Sequence, residues 1–145
     1  MKKISAIPCL FIILFIACNK GNNQAHKEAS IMYEPKPLAN LMLRMHGDAL
    51  AWKGAIELGE FSAKFPVGYY GIFTVEATDS SIRTDIFAEK ANRYLQSVEA
   101  LCLVSEPTQH LEKFNLMIVS CLDCHQIFCQ GPIDKIKKLY LDESL

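Results

Sequence analysis

The chain has 145 residues, 50% of them hydrophobic and 21% charged, with Lys+Arg 15 against Asp+Glu 16. This length suits one domain rather than two, the charge balance lacks the basic excess of a nucleic-acid binder, and the apolar content excludes a disordered chain. Six cysteines are too many for an ordinary cytosolic domain of this size and need a chemical account.

The N-terminus reads as an export signal. Lys2 and Lys3 precede an apolar run over residues 4–17, which ends at Cys18. A basic start followed by a short apolar run is the secretory pattern, and the run falls short of the roughly 20 apolar residues that span a bilayer. Leu14-Phe15-Ile16-Ala17-Cys18 resembles a lipobox, relaxed at Phe15, in which the cysteine carries a diacylglycerol before the signal is cut away. The expected division is a signal peptide over 1–17, a lipidated Cys18 with a polar tether over 18–35, and a folded domain over 36–145. Cleavage removes Lys2 and Lys3 and no acidic residue, so the mature chain is mildly acidic. It is expected on the periplasmic side of a bacterial membrane, lipid-anchored, where thiols tend to be oxidised.

From Pro37 the residues Leu38, Leu41, Met42, Met45, Ala49, Trp52 and Ile56 recur in steps of three and four, one face of a helix. Pro37 suits its first turn and Gly59 its end. A weaker apolar segment after Pro66 carries Tyr69, Tyr70, Ile72, Phe73 and Val75, and helix is preferred there over strand. A third helix is predicted over 82–103, with Ile86, Phe87, Ala91, Tyr94, Val98, Leu101 and Cys102 as its stripe. After Glu106-Pro107 a fourth shows Leu111, Phe114, Ile118, Cys121, His125 and Phe128 on one face. Gly131-Pro132 closes it, and a short basic tail follows with Ile133, Ile136 and Leu139 as anchors. The default architecture for four helices with short connections is an all-α, antiparallel four-helix bundle.

The segment that carries chemistry is Cys121-Leu122-Asp123-Cys124-His125, a C-x-x-C-H sequence for attaching c-type haem. On a helix the two sulfurs, at i and i+3, fall on nearly the same side and can form thioethers with the two vinyl groups. His125, at i+4 from Cys121, then offers its imidazole to the iron. Export strengthens the reading, because covalent haem attachment takes place outside the cytoplasm.

With this motif on its last long helix, the chain resembles the cytochrome c-prime family, the class II cytochromes c, over roughly residues 37–130. The resemblance implies a bundle with one haem c bound to the C-terminal helix, whose sixth iron position is faced by the first helix. It places the distal residue near Leu41-Met42-Leu43-Arg44-Met45, closest to Met42. Met42 is thus the first candidate for the sixth ligand and Met45 the alternative; otherwise both are core methionines beside a flat ring. His46 lies beside the stripe and reads as a surface residue. Ligation by Met and His suits single-electron transfer with no substrate turnover, whereas a five-coordinate iron would bind NO or CO. The implied partners are a periplasmic or membrane redox protein, the membrane through the lipid, and a second copy in a homodimer.

Two thiols, Cys102 and Cys129, remain in the mature chain and could form a disulfide, although antiparallel helices would hold them far apart. Cys121, Cys124, His125 and Cys129 could instead hold zinc as a Cys3His set. Arg44, Lys53 and Arg83 are propionate partners by charge type only. Lys135, Lys137 and Lys138 read as the wet face of a short helix, or as a docking surface for an acidic partner.

Overall fold

A computed structural model describes residues 35–142. The expected signal peptide, Cys18 and all of the expected tether but Pro35 lie outside the described residues. Those described are all-helical: α1 (Pro37–Glu57), a 3-10 helix (Val67–Phe73), a single 3-10 turn (Ser80–Ile82), α2 (Asp85–Leu103), α3 (Pro107–Phe128) and α4 (Ile133–Lys137).

The predicted stripe of the first helix is the buried face of α1, with Leu38, Leu41, Met45 and Ala49 in the core and Met42, Trp52 and Ile56 packed at its margin. The helix ends where Gly59 turns to a φ of 71°. There Gly59 N–H donates to the Ile56 carbonyl at 2.9 Å and Glu60 N–H to the Ala55 carbonyl at 2.8 Å. That pair of bonds is a Schellman cap, and its left-handed residue favours glycine.

The segment after Pro66 is helical, as preferred from the sequence, in the form of a seven-residue 3-10 helix. Its fixings are lateral. Tyr69 Oη donates to Asp48 Oδ2 on α1 at 2.6 Å, and the Tyr69 ring stacks on Tyr94 of α2 at 6.2 Å. At Gly71 a Cβ would lie 3.4 Å from Val75 Cγ1 and 3.6 Å from Leu41 Cδ2, so this turn sits close against α1. Arg83 donates to the carbonyls of Ile72 and Val75 and lies over the Phe87 ring. This guanidinium is thus committed to the fold and not to a propionate.

α2 starts later than predicted, at Asp85, because Thr84 supplies its cap: Thr84 Oγ1 accepts from Phe87 N–H at 3.2 Å. Asp79 caps the separate turn before it, accepting from Ser81 N–H, and hydrogen bonding from the Ser81 side chain, with its backbone N–H second, holds its carboxyl below the usual range. Counted from Thr84, the stripe runs Phe87, Ala91, Tyr94, Leu95, Val98 and Leu101. Ile86, expected inside, is 54% exposed.

The turn over 104–106 folds α3 back along α2, and these two helices share the most extensive interface among the described elements. His110 Nε2 donates to the Val104 carbonyl at 3.0 Å, and its ring meets Phe61 at 4.9 Å, which fastens this turn to the loop after α1. By contrast α1 touches α3 only sparsely.

α4 and the residues after it close the end of the α1–α3 seam, burying Ile136, Leu139 and Leu141. Lys53 of α1 donates to the carbonyls of Lys138 at 3.1 Å and Tyr140 at 2.8 Å. Asn115 of α3 exchanges two hydrogen bonds with the Leu141 backbone. Lys53 is thereby a clamp on the C-terminal segment, not a free cation. Lys53→Met, which keeps the aliphatic stem, should cost about 1–2 kcal/mol. Thermal denaturation should show this as a fall in midpoint of roughly 5–10 °C; an unchanged midpoint would mean that the clamp carries no stability.

Candidate functional site

A cavity of about 60 Å³ lies in the α1–α3 seam, its mouth open to solvent. α1 contributes Met42, Met45, His46 and Ala49, the 3-10 helix Ile72, and α2 Ala91 and Tyr94. α3 contributes Ser120, Cys121, Cys124 and His125, and the C-terminal segment closes it with Ile136 and Leu139. The C-x-x-C-H residues therefore share one apolar cavity with both methionines. His46, expected on the surface, lines it as well. The signal for His46 was its position four residues after Met42, on the same side of α1.

His125 Nδ1 lies 2.9 Å from the Cys129 carbonyl oxygen. A carbonyl only accepts, so Nδ1 carries the proton and Nε2 keeps its lone pair for a metal. This backbone bond at the end of α3 holds the ring as an outer partner holds a metal-ligating histidine. Cys129 thus reaches the site through its backbone, with its side chain exposed.

The two cysteines of the motif are neutral at physiological pH. Burial pushes the Cys121 thiol up to about 12, with the neighbouring Cys124 adding to it. Cys124 is pushed up to about 11, first by burial, then by the Asp123 carboxylate, with Lys90 partly offsetting both. Thiol–disulfide exchange needs the opposite tuning, a stabilised thiolate. A thioredoxin-type role for this C-x-x-C has no support in its surroundings.

Cys102 and Cys129 are free, and the fold keeps them apart. Cys102 ends α2 beside the 104–106 turn, whereas Cys129 follows the far end of the 22-residue α3. A helix of that length spans about 33 Å, against the 7 Å or so that a disulfide tolerates between Cα atoms. The disulfide expectation is corrected accordingly. Cys102 is partly buried against the core, and burial raises its thiol. Among the described residues no cluster of three or more His, Cys, Asp or Glu side chains is placed to hold a metal ion, so the Cys3His zinc arrangement is not assembled. Arg44 is exposed on α1, and Lys135, Lys137 and Lys138 form the wet face of the C-terminal segment.

The donor set suits a c-type haem: two sulfurs at i and i+3, an imidazole presenting Nε2, and thioether or imidazole donors on the facing helix. The room is smaller than the ring. About 60 Å³ holds roughly two waters, whereas pockets for cofactor-sized molecules run to about 300–1,000 Å³. A macrocycle therefore needs part of its edge outside the open mouth, or needs Ile136, Leu139 or α1 to give way. The sparse packing of α1 on α3 is where the fold can yield.

Comparison of the chain with protein-family models, with curated proteins and with solved structures finds no match. The functional reading rests on the residues themselves.

Proposed function

We propose that the protein is a c-type cytochrome of the class II kind, a helical bundle holding one haem c through Cys121 and Cys124 on α3. His125 would hold the iron through Nε2, and Met42, with Met45 as the alternative, would supply a further donor from α1. Its role is single-electron transfer to a periplasmic or membrane redox partner, from a position tethered to the membrane by a lipid on Cys18. The observation that supports this reading is the shared cavity, in which C-x-x-C-H faces Met42 and Met45 across an apolar seam.

The haem, when bound, supplies an iron that cycles between the ferric and ferrous states. The chain's own residues do the rest. Cys121 and Cys124 would hold the ring on the same helix that carries His125, so that the ring and the imidazole keep one spacing. The Cys129 carbonyl keeps His125 in one tautomer. Ala91, Ile72, Ile136 and Leu139 keep water off that side of the site. An apolar lining, held firmly on the α3 side, limits rearrangement between redox states, which suits an electron carrier.

The test is a visible spectrum of the protein made in a host with c-type haem maturation machinery, oxidised and reduced, with a haem stain on a denaturing gel. A haem band that survives denaturation is the expected result. A colourless protein, with zinc found by elemental analysis, would overturn the reading.

A further inference from the structure

Beside the cavity, and outside the donor set, a pair of opposite charges joins α2 to the motif itself. Asp123, between the two motif cysteines, accepts a hydrogen bond from Lys90 Nζ at 2.6 Å. The Lys90 side chain is only 16% exposed, and that of Asp123 35%. Arg93, one turn further along α2 and well exposed, reaches the same carboxylate at 3.5 Å and pairs with Glu89 at 2.9 Å. A lysine this buried is costly unless it is paired, and packing alone would be served by an apolar residue at that place. The pair instead brings a largely buried positive charge and a partly exposed negative one to the helix turn that carries Cys124.

We propose that Lys90 and Asp123 are positioning residues that set the reduction potential of the haem attached at Cys124. The inference rests on the haem reading above and deepens it. In one-electron reduction the iron passes from ferric to ferrous, the site loses one positive charge, and no bond is made or broken. A nearby cation favours the reduced form and a nearby anion the oxidised form, and both act more strongly where water is excluded. Lys90 therefore raises the potential and Asp123 lowers it.

The experiment is a dithionite titration, followed optically, of the haem-loaded parent and of Lys90→Met, Lys90→Arg, Asp123→Asn and the double variant Lys90→Met/Asp123→Asn. Lys90→Met should lower the midpoint potential and Asp123→Asn should raise it. The double variant should fall between the two singles, and Lys90→Arg should stay near the parent. A purely structural tie would move both single variants in the same direction, or neither, and either result overturns the proposal. If Lys90→Met does not fold, the half-exposed and nearly isosteric Asp123→Asn decides alone: an upward shift supports the proposal, and no shift or a downward one refutes it. A parent without haem would refute the underlying reading instead, so the two failures are distinguishable.

Discussion

With serine in place of both Cys121 and Cys124, the protein should carry no haem through a denaturing gel, whatever haem the folded state still holds. The thioether needs sulfur, and a hydroxyl adds to no vinyl group under these conditions. The loss should be complete, against nearly one haem per chain in the parent. The fold should survive, because serine is close to cysteine in size and its hydroxyl can turn to a carbonyl of the preceding turn; helical circular dichroism checks this. Thiol titration in denaturant gives a second reading of the same event. The described residues hold four cysteines, Cys102, Cys121, Cys124 and Cys129. With haem attached only Cys102 and Cys129 should react, two per mature chain once Cys18 is acylated. Four reacting thiols in the parent, or a surviving haem band in the double variant, would remove covalent attachment through this motif. His125→Ala separates attachment from ligation: the haem should stay on the gel while its spectrum changes.

Local chemistry made much of this legible in the sequence. The stripe of α1 and its glycine stop depend on residues a few positions apart, and the C-x-x-C-H spacing is meaningful only on a helix, which α3 provides. The segment after Pro66 was less legible for a physical reason. A short apolar run with two glycines, Gly68 and Gly71, has no decisive period, and what fixes it as a 3-10 helix is distant: Asp48, Tyr94 and Arg83. The start of α2 turned on which of several adjacent hydroxyl and carboxylate residues won the cap, and Ile86 lies outside the core because it sits about 100° round the helix from Phe87. The Lys90–Asp123 pair spans 33 positions and was invisible for the same reason.

The arrangement divides labour among the helices. α2 and α3 form the tight pair that holds the motif, with the charge pair and the Ser97–Ser120 hydroxyl contact at 2.9 Å crossing between them. α1 carries the candidate distal donors on the loosely packed side of the cavity. A site built this way can be fixed on one face and adjustable on the other. On the haem reading, the test for a further iron donor is therefore made on α1.

Met42→Ala and Met45→Ala are expected to fail in opposite ways. Met45 is 5% exposed, in line with Leu41 and Ala49 in the core, so removing its side chain should cost about 2–5 kcal/mol of stability. Met42 is packed only at the margin of that core, and its truncation should cost about 1 kcal/mol. If Met42 holds the iron, its alanine variant loses the low-spin spectrum and shows a lower potential, because thioether ligation raises it. Met45→Ala then keeps the spectrum and loses stability. The reverse spectral result, with Met45→Ala turning high-spin, transfers the role to Met45. Should neither variant change a low-spin spectrum, methionine ligation fails and His46→Ala becomes the deciding variant, since that imidazole lines the same cavity. A parent that is high-spin from the start, and that binds CO when reduced, would make the iron five-coordinate. The protein would then be a binder of small gases rather than an electron carrier, with Met42 and Met45 serving as packing beside an open iron.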